Sequence, residues 1–209
     1  MSPELRQRLP ILLLVMAISI VSVVDWVSAL PVLEAVPLNL TLAWKSFLAG
    51  NGSGETAATL LTSMSVVLLH GNGSHLIWNM MFFWIFGVAV LEIIGWRWTM
   101  VVFLLTAIGA TVGHVLTDPY SAISMIGASG AVMGFEGAYL GLAVQKPRPS
   151  SSIWPIASPV SPAQLGALGV FGIAMDVMGI TSPDPSNIAY GAHIGGFMTG
   201  MVLVFFRRA

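Results

Sequence analysis

The chain has 209 residues, of which 56% are hydrophobic and only 8% are charged, whereas a soluble domain carries about 25% charged residues. This composition excludes an ordinary soluble fold and indicates an integral membrane protein. The net charge of −1 gives no sign of a nucleic-acid partner, and the lack of cysteine excludes disulfides, thiolate catalysis and cysteine-bound metals.

Six apolar runs are long enough to cross a membrane, which takes about 20 helical residues each. The predicted spans are residues 9–30, 75–94, 98–116, 126–144, 163–181 and 188–206. No small-residue cleavage site follows the first run, so we interpret it as a retained anchor rather than a signal peptide. The sequence therefore predicts an all-α polytopic membrane protein, with one domain over residues 1–209 and six transmembrane helices.

The basic residues predict the orientation of these spans. If the N terminus is cytoplasmic, only Lys45 among the eight basic residues lies outside. The cytoplasmic ones are Arg6, Arg8, Arg97, Lys146, Arg148, Arg207 and Arg208. This distribution follows the positive-inside rule, so we expect both termini in the cytoplasm.

Two connections differ from simple short turns. Residues 31–74 on the outer side are only half apolar and contain a glycine-rich stretch that cannot span. This pattern predicts a first outer loop that lies partly in the membrane. Residues 145–162 are rich in proline and serine, which is typical of a linker.

Polar residues capable of chemistry lie near the outer ends of three spans. Ser129 opens the fourth span, His193 opens the sixth, and His75 and Asn79 begin the second, one turn apart on one face. These spans all run inward, and at a rise of 1.5 Å per residue the four groups lie roughly 5–10 Å below the outer surface. Polar groups in hydrocarbon are costly, so this layer is a candidate functional site.

Glycine stripes predict close packing of the fourth and sixth spans. If these stripes face each other, Ser129 and His193 meet as a nucleophile and its general base do. His75, Asn79 and the Ser129 backbone N–H are then candidate hydrogen-bond donors to an oxyanion. The stripes are Gly127, Gly130, Gly134, Gly137 and Gly141 in one span, and Gly191, Gly195, Gly196 and Gly200 in the other.

The sequence assigns no catalytic role to the acidic residues of the fourth and fifth spans. Asp176 is interpreted as lying deep in the fifth span, and Glu136 lies two turns below Ser129. The sequence therefore predicts a Ser–His dyad rather than a triad, and it offers no account of Glu136.

Three motifs in this order resemble the rhomboid family of intramembrane serine proteases. They are His70-x4-His75-x3-Asn79, then Gly127-Ala128-Ser129-Gly130, then Ala192-His193-x2-Gly196-x3-Gly200. The similarity covers the chain from Thr62 to Gly200, with Glu92 and Gly95 at the end of the second span.

The resemblance implies a function and roles for individual residues. Ser129 would be the nucleophile and His193 the general base, while His75, Asn79 and the Ser129 N–H would stabilise the oxyanion. His70 would be a supporting residue, as would the motif glycines Gly127, Gly130, Gly196 and Gly200. The family cleaves transmembrane segments of other proteins near the outer face of the membrane, without a metal or cofactor. We expect a prokaryotic cell membrane, with the lipid bilayer and transmembrane substrates as partners.

Two departures from the family pattern affect these expectations. Many members carry an aromatic residue four positions after the serine, where this chain has Met133, and a thioether can still pack against an imidazole edge. Members also often carry a Trp-Arg pair in the first outer loop, whereas Trp96-Arg97 lies on the cytoplasmic side.

Two other functions compete with the protease. A rhomboid-like pseudoprotease would bind or escort transmembrane clients, but such proteins usually lack the serine or the histidine, and this chain has both. A small transporter would place polar groups at several depths, whereas here they are confined to the outer third.

Overall fold

A computed structural model describes residues 3–28, 63–118, 125–147, 150, 152–153, 159–182 and 188–207. These ranges form five α-helices and contain no β-strand, so the all-α prediction is confirmed for them. The helices are α1 (Pro3–Val27), α2 (Gly73–Thr117), α3 (Ser129–Gln145), α4 (Pro162–Thr181) and α5 (Tyr190–Phe206), and a 3-10 turn at Val66–Leu68 precedes α2. Most of the predicted outer loop, and residues 29–30 of the first predicted span, lie outside the described residues.

Three helices in the described ranges, α1, α2 and α4, are long and apolar enough to cross a membrane, and α5 is a shorter apolar helix. The chain is accordingly a multi-pass membrane protein. The predicted ends agree within two residues for α4 and α5. The helix α1 begins six residues before the first predicted span, at Pro3, and includes both of its arginines.

Glycine at position 95 divides α2 into two arms, 73–94 and 96–117. Gly95 has φ 76° and ψ 163°, a left-handed backbone conformation that favours glycine. The rings of Phe83 and Phe103 lie 5.6 Å apart, whereas twenty residues of straight helix would separate them by about 30 Å. The arms therefore fold back on each other, and the break falls between the second and third predicted spans.

The helices α3 and α5 pack so closely that their backbones are in contact. A Cβ atom on Gly196 would collide with the carbonyl of Gly130, and one on Gly200 would collide with the carbonyl of Gly134. Gly196 and Gly200 of one predicted stripe thus face Gly130 and Gly134 of the other, whereas Gly191 and Gly195 pack against Gly113 and Gly109 of α2. This contact sets the register of the two helix starts and places Ser129 and His193 side by side.

The helix α4 packs more loosely than α3 or α5. It begins with Pro162 after a capping box in which Ser161 and Gln164 each accept a backbone hydrogen bond from the other. Its buried residues are Leu165, Gly169 and Asp176. It runs opposite to α3 and α5, so its C-terminal end lies where those two helices begin. We call this end of the bundle the site end.

Candidate active site

Ser129 is the first residue of α3, and the backbone before it is shaped for this position. Gly127 has φ 110°, and a Cβ atom there would lie 2.7 Å from Cε1 of His75. Glycine therefore both permits the turn and leaves room for the imidazole of His75. The helix begins at Ser129, three residues after the predicted start of the fourth span.

His193 lies on the first turn of α5, and its Nε2 is 2.8 Å from Oγ of Ser129. The distance is that of a hydrogen bond between a hydroxyl and an imidazole. The structure thus brings together two residues that are 64 positions apart in the chain. Their contact follows from the glycine-mediated approach of α3 and α5.

The other ring nitrogen of His193 contacts a carboxylate that the sequence analysis had excluded. Oδ1 of Asp176 lies 2.8 Å from Nδ1 of His193, and the two side chains are only 10% and 17% exposed. The prediction that His193 has no supporting carboxylate was wrong. Asp176 is five residues from the C-terminal end of α4, or roughly 7.5 Å, and that end lies at the site end. The predicted position deep in the fifth span is therefore wrong.

The two contacts of His193 are compatible with one neutral tautomer. If Nδ1 carries the proton, it donates to Asp176, and Nε2 is left to accept the proton of the Ser129 hydroxyl. The hydrogen-bonded order is then carboxylate, imidazole, hydroxyl. This is the order in which a serine nucleophile is activated on unrelated protein folds.

His70 connects the loop before α3 to α1. Its Nε2 accepts from the backbone N–H of Ala128 at 3.3 Å, and its Nδ1 lies 3.0 Å from Oγ of Ser22. Ser22 in turn donates to the carbonyl of Leu68, and Trp26 donates to the carbonyl of His70. Burial lowers the pKa of His70 to about 4, and the neighbouring His75 contributes to this shift. The imidazole is therefore neutral and holds the turn that carries Ser129.

Candidate oxyanion donors lie at the start of α3 and along the cavity that Ser129 lines. The first N–H groups of α3 have no acceptor within the helix, and Ala128, which precedes it, offers no side-chain cap. His75 and Asn79 line the same cavity as Ser129. Asn79 uses one amide N–H on the carbonyl of His75 at 3.0 Å, which leaves the second N–H for another acceptor.

These residues share a cavity of about 1090 Å³. Ser129, His193 and Asp176 lie along it, and Met133 and Glu136 follow Ser129 at successive turns of α3. Within the described ranges, no Lys or Arg lines it, and no group of three His, Cys, Asp or Glu residues is arranged to hold a metal ion. Met133 lies toward α4, since its Cε would be 3.7 Å from a Cβ on Gly172.

Comparison with known proteins places the chain in a family. Residues 55–209 match the model of the Rhomboid domain. A protein of Bacillus subtilis (strain 168) named "Putative rhomboid protease YdcA" is 26% identical over 106 residues, which is 51% of this chain. The matched part covers 53% of that relative, so the chain spans about half of its length.

Proposed function

Because the chain belongs to the rhomboid family, we propose that it is an intramembrane serine endopeptidase that cleaves transmembrane segments of other membrane proteins. Members of the family are generally intramembrane serine proteases. The observation that carries the proposal is a pair of 2.8 Å contacts, one between Asp176 and His193 and one between His193 and Ser129. It also favours the enzyme over a pseudoprotease, because the hydroxyl is already bonded to its base.

The reaction proceeds in two stages on these residues. Oγ of Ser129 attacks the scissile carbonyl while Nε2 of His193 takes its proton, and the carbonyl oxygen becomes an oxyanion. The free N–H groups at the start of α3, with His75 and Asn79, donate to that oxyanion. His193 then returns the proton to the leaving amine, and an acyl-enzyme forms. Water, deprotonated by His193, attacks the ester and releases Ser129.

Asp176 acts as a positioning residue in this mechanism. Its carboxylate holds the Nδ1–H tautomer of His193 and stabilises the imidazolium that forms when the proton moves. The contact also joins the loosely packed α4 to α5. The substrate therefore meets a base that is already oriented.

The placement in the membrane completes the proposal. Six spans arise from α1, the two arms of α2, α3, α4 and α5, with both termini in the cytoplasm and the site end near the outer face of a prokaryotic cell membrane. The basic residues support this orientation, since Arg8 and Arg97 lie at the opposite end from Ser129. A site at this depth receives water from the outer surface, which hydrolysis requires.

A cleavage assay tests the proposal. The purified chain is reconstituted with a panel of single-pass membrane proteins, and product fragments are measured by mass spectrometry. We expect cleavage by the wild type and none by Ser129→Ala or His193→Ala, with an unchanged circular dichroism spectrum. Undiminished cleavage by purified Ser129→Ala refutes the role of the hydroxyl.

A further inference from the structure

Glu136 is a buried carboxyl that the proposed reaction does not use. Its side chain lines the cavity of Ser129, yet the residue is only 4% exposed. No atom within the described residues forms a hydrogen bond with its Oε2. An unpartnered carboxyl in an apolar bundle is costly, so it is by default a candidate for binding or chemistry.

Glu136 lies on the same face of α3 as Ser129. Seven residues make almost two full turns, so the two Cα atoms are separated by about 10 Å along the helix axis. The carboxyl is nearer than that, because helical side chains lean toward the N-terminal end. Met133 lies one turn below Ser129, between the two residues along the helix.

The opposite wall of this part of the cavity is α4. A Cβ atom on Gly172 would lie 3.1 Å from Oε2 of Glu136 and 3.7 Å from Cε of Met133. Glycine at this position thus leaves room for the carboxyl of Glu136 beside α4. One turn closer to the site end, Asp176 is already bonded to His193.

The residues of this pocket favour a side chain that carries a cationic group at the end of a long aliphatic segment. Its apolar lining includes Met133, Leu168, Phe171 and Met175, which suit a chain of methylene groups. Glu136 at its inner end is the acidic group without a partner, and no Lys or Arg of the described ranges lines the cavity to neutralise it.

We propose that the pocket between Ser129 and Glu136 is a subsite for a lysine or arginine side chain of the substrate, next to the cleaved peptide bond. The proposal rests on the proposed protease function for the position of the peptide bond. Lysine has a four-carbon stem and an ammonium head, which suit an apolar pocket with a carboxyl group at its inner end. The ion pair forms inside the protein, where a charge-assisted hydrogen bond is stronger than in water.

A binding experiment tests this subsite without relying on catalysis. Fluorescent single-pass peptides carry one lysine at successive positions of their outer third, and matched peptides carry norleucine or glutamine there. Dissociation constants are measured in nanodiscs for Ser129→Ala and for Ser129→Ala combined with Glu136→Gln. The control is Ser129→Ala with Glu4→Gln, which removes an exposed carboxylate from the first turn of α1.

At one position, we expect the lysine peptide to bind Ser129→Ala about tenfold more tightly than the norleucine peptide. A tenfold ratio of dissociation constants corresponds to about 1.4 kcal/mol of binding free energy. Glu136→Gln should reduce this ratio to about one, and Glu4→Gln should leave it unchanged. A ratio that survives Glu136→Gln, or glutamine binding as tightly as lysine, overturns the subsite.

Cleavage of the same peptides by the wild type is scored separately. A lysine preference that depends on Glu136, without any cleavage, contradicts the protease and leaves the subsite standing. Cleavage without such a preference contradicts the subsite and leaves the protease standing.

Discussion

Replacement of Asp176 by asparagine removes the negative charge behind His193 and retains the size of the side chain. The carboxylate contacts Nδ1 at 2.8 Å and is only 10% exposed, so its charge is poorly screened by water. A charged hydrogen bond is worth about 1.5–3 kcal/mol. The bond is strongest when the imidazolium forms, and each 1.36 kcal/mol of barrier changes the rate tenfold. We therefore expect kcat to fall by roughly 10- to 150-fold. A further loss follows if the amide stabilises the wrong imidazole tautomer.

The assay is steady-state cleavage of a transmembrane reporter in proteoliposomes, with kcat and KM determined separately. KM should change less than kcat, because Asp176 acts through His193 and not on the bound segment. The matched control is Asp118→Asn at the end of α2, since Asp118 lies at the same end of the bundle and does not line the cavity. If Asp176→Asn retains kcat within twofold of the wild type, the carboxylate does not support the base.

Two further predictions concern the turn that carries Ser129. Gly127→Ala introduces a Cβ atom against His75 at a backbone angle that costs alanine about 1–2 kcal/mol, so cleavage should fall at least tenfold, whereas Gly73→Ala has open space and should retain activity. Equal activity of the two variants in the same assay argues against the turn. Because the unfolded chain has a histidine pKa near 6.5 and the folded pKa of His70 is about 4, the unfolded state binds more protons between these values. The unfolding free energy should therefore be highest above pH 6.5 and fall by up to about 3 kcal/mol on acidification to pH 4. Denaturation in detergent at several pH values measures this loss, and His70→Gln should diminish it, whereas an identical pH dependence in the variant contradicts the shift.

Local patterns predicted most of the helices. Apolar runs of the required length specify α2, α4 and α5 almost to the residue, because a membrane helix must satisfy its backbone internally over a fixed thickness. The glycine stripes similarly indicated that α3 and α5 would touch, since only small residues allow such an approach.

Contacts between side chains of different helices were harder to predict. No motif in the sequence pairs Asp176 with His193, and the depth of Asp176 is apparent only when it is counted from the C-terminal end of α4. Ser22 and Trp26 contact His70 over 44 to 48 positions of sequence, with no spacing that links them. Such contacts depend on how helices are arranged around each other, which hydrophobic periodicity does not encode.

The most direct test of the account is to identify the nucleophile chemically. The purified chain is treated with a fluorophosphonate, and intact and peptide mass spectrometry locate the adduct. We predict one adduct per chain, on Ser129, which is lost in Ser129→Ala and strongly reduced in His193→Ala. If the wild type is folded in detergent and remains unlabelled, the central claim is contradicted. An adduct that persists in Ser129→Ala also contradicts it.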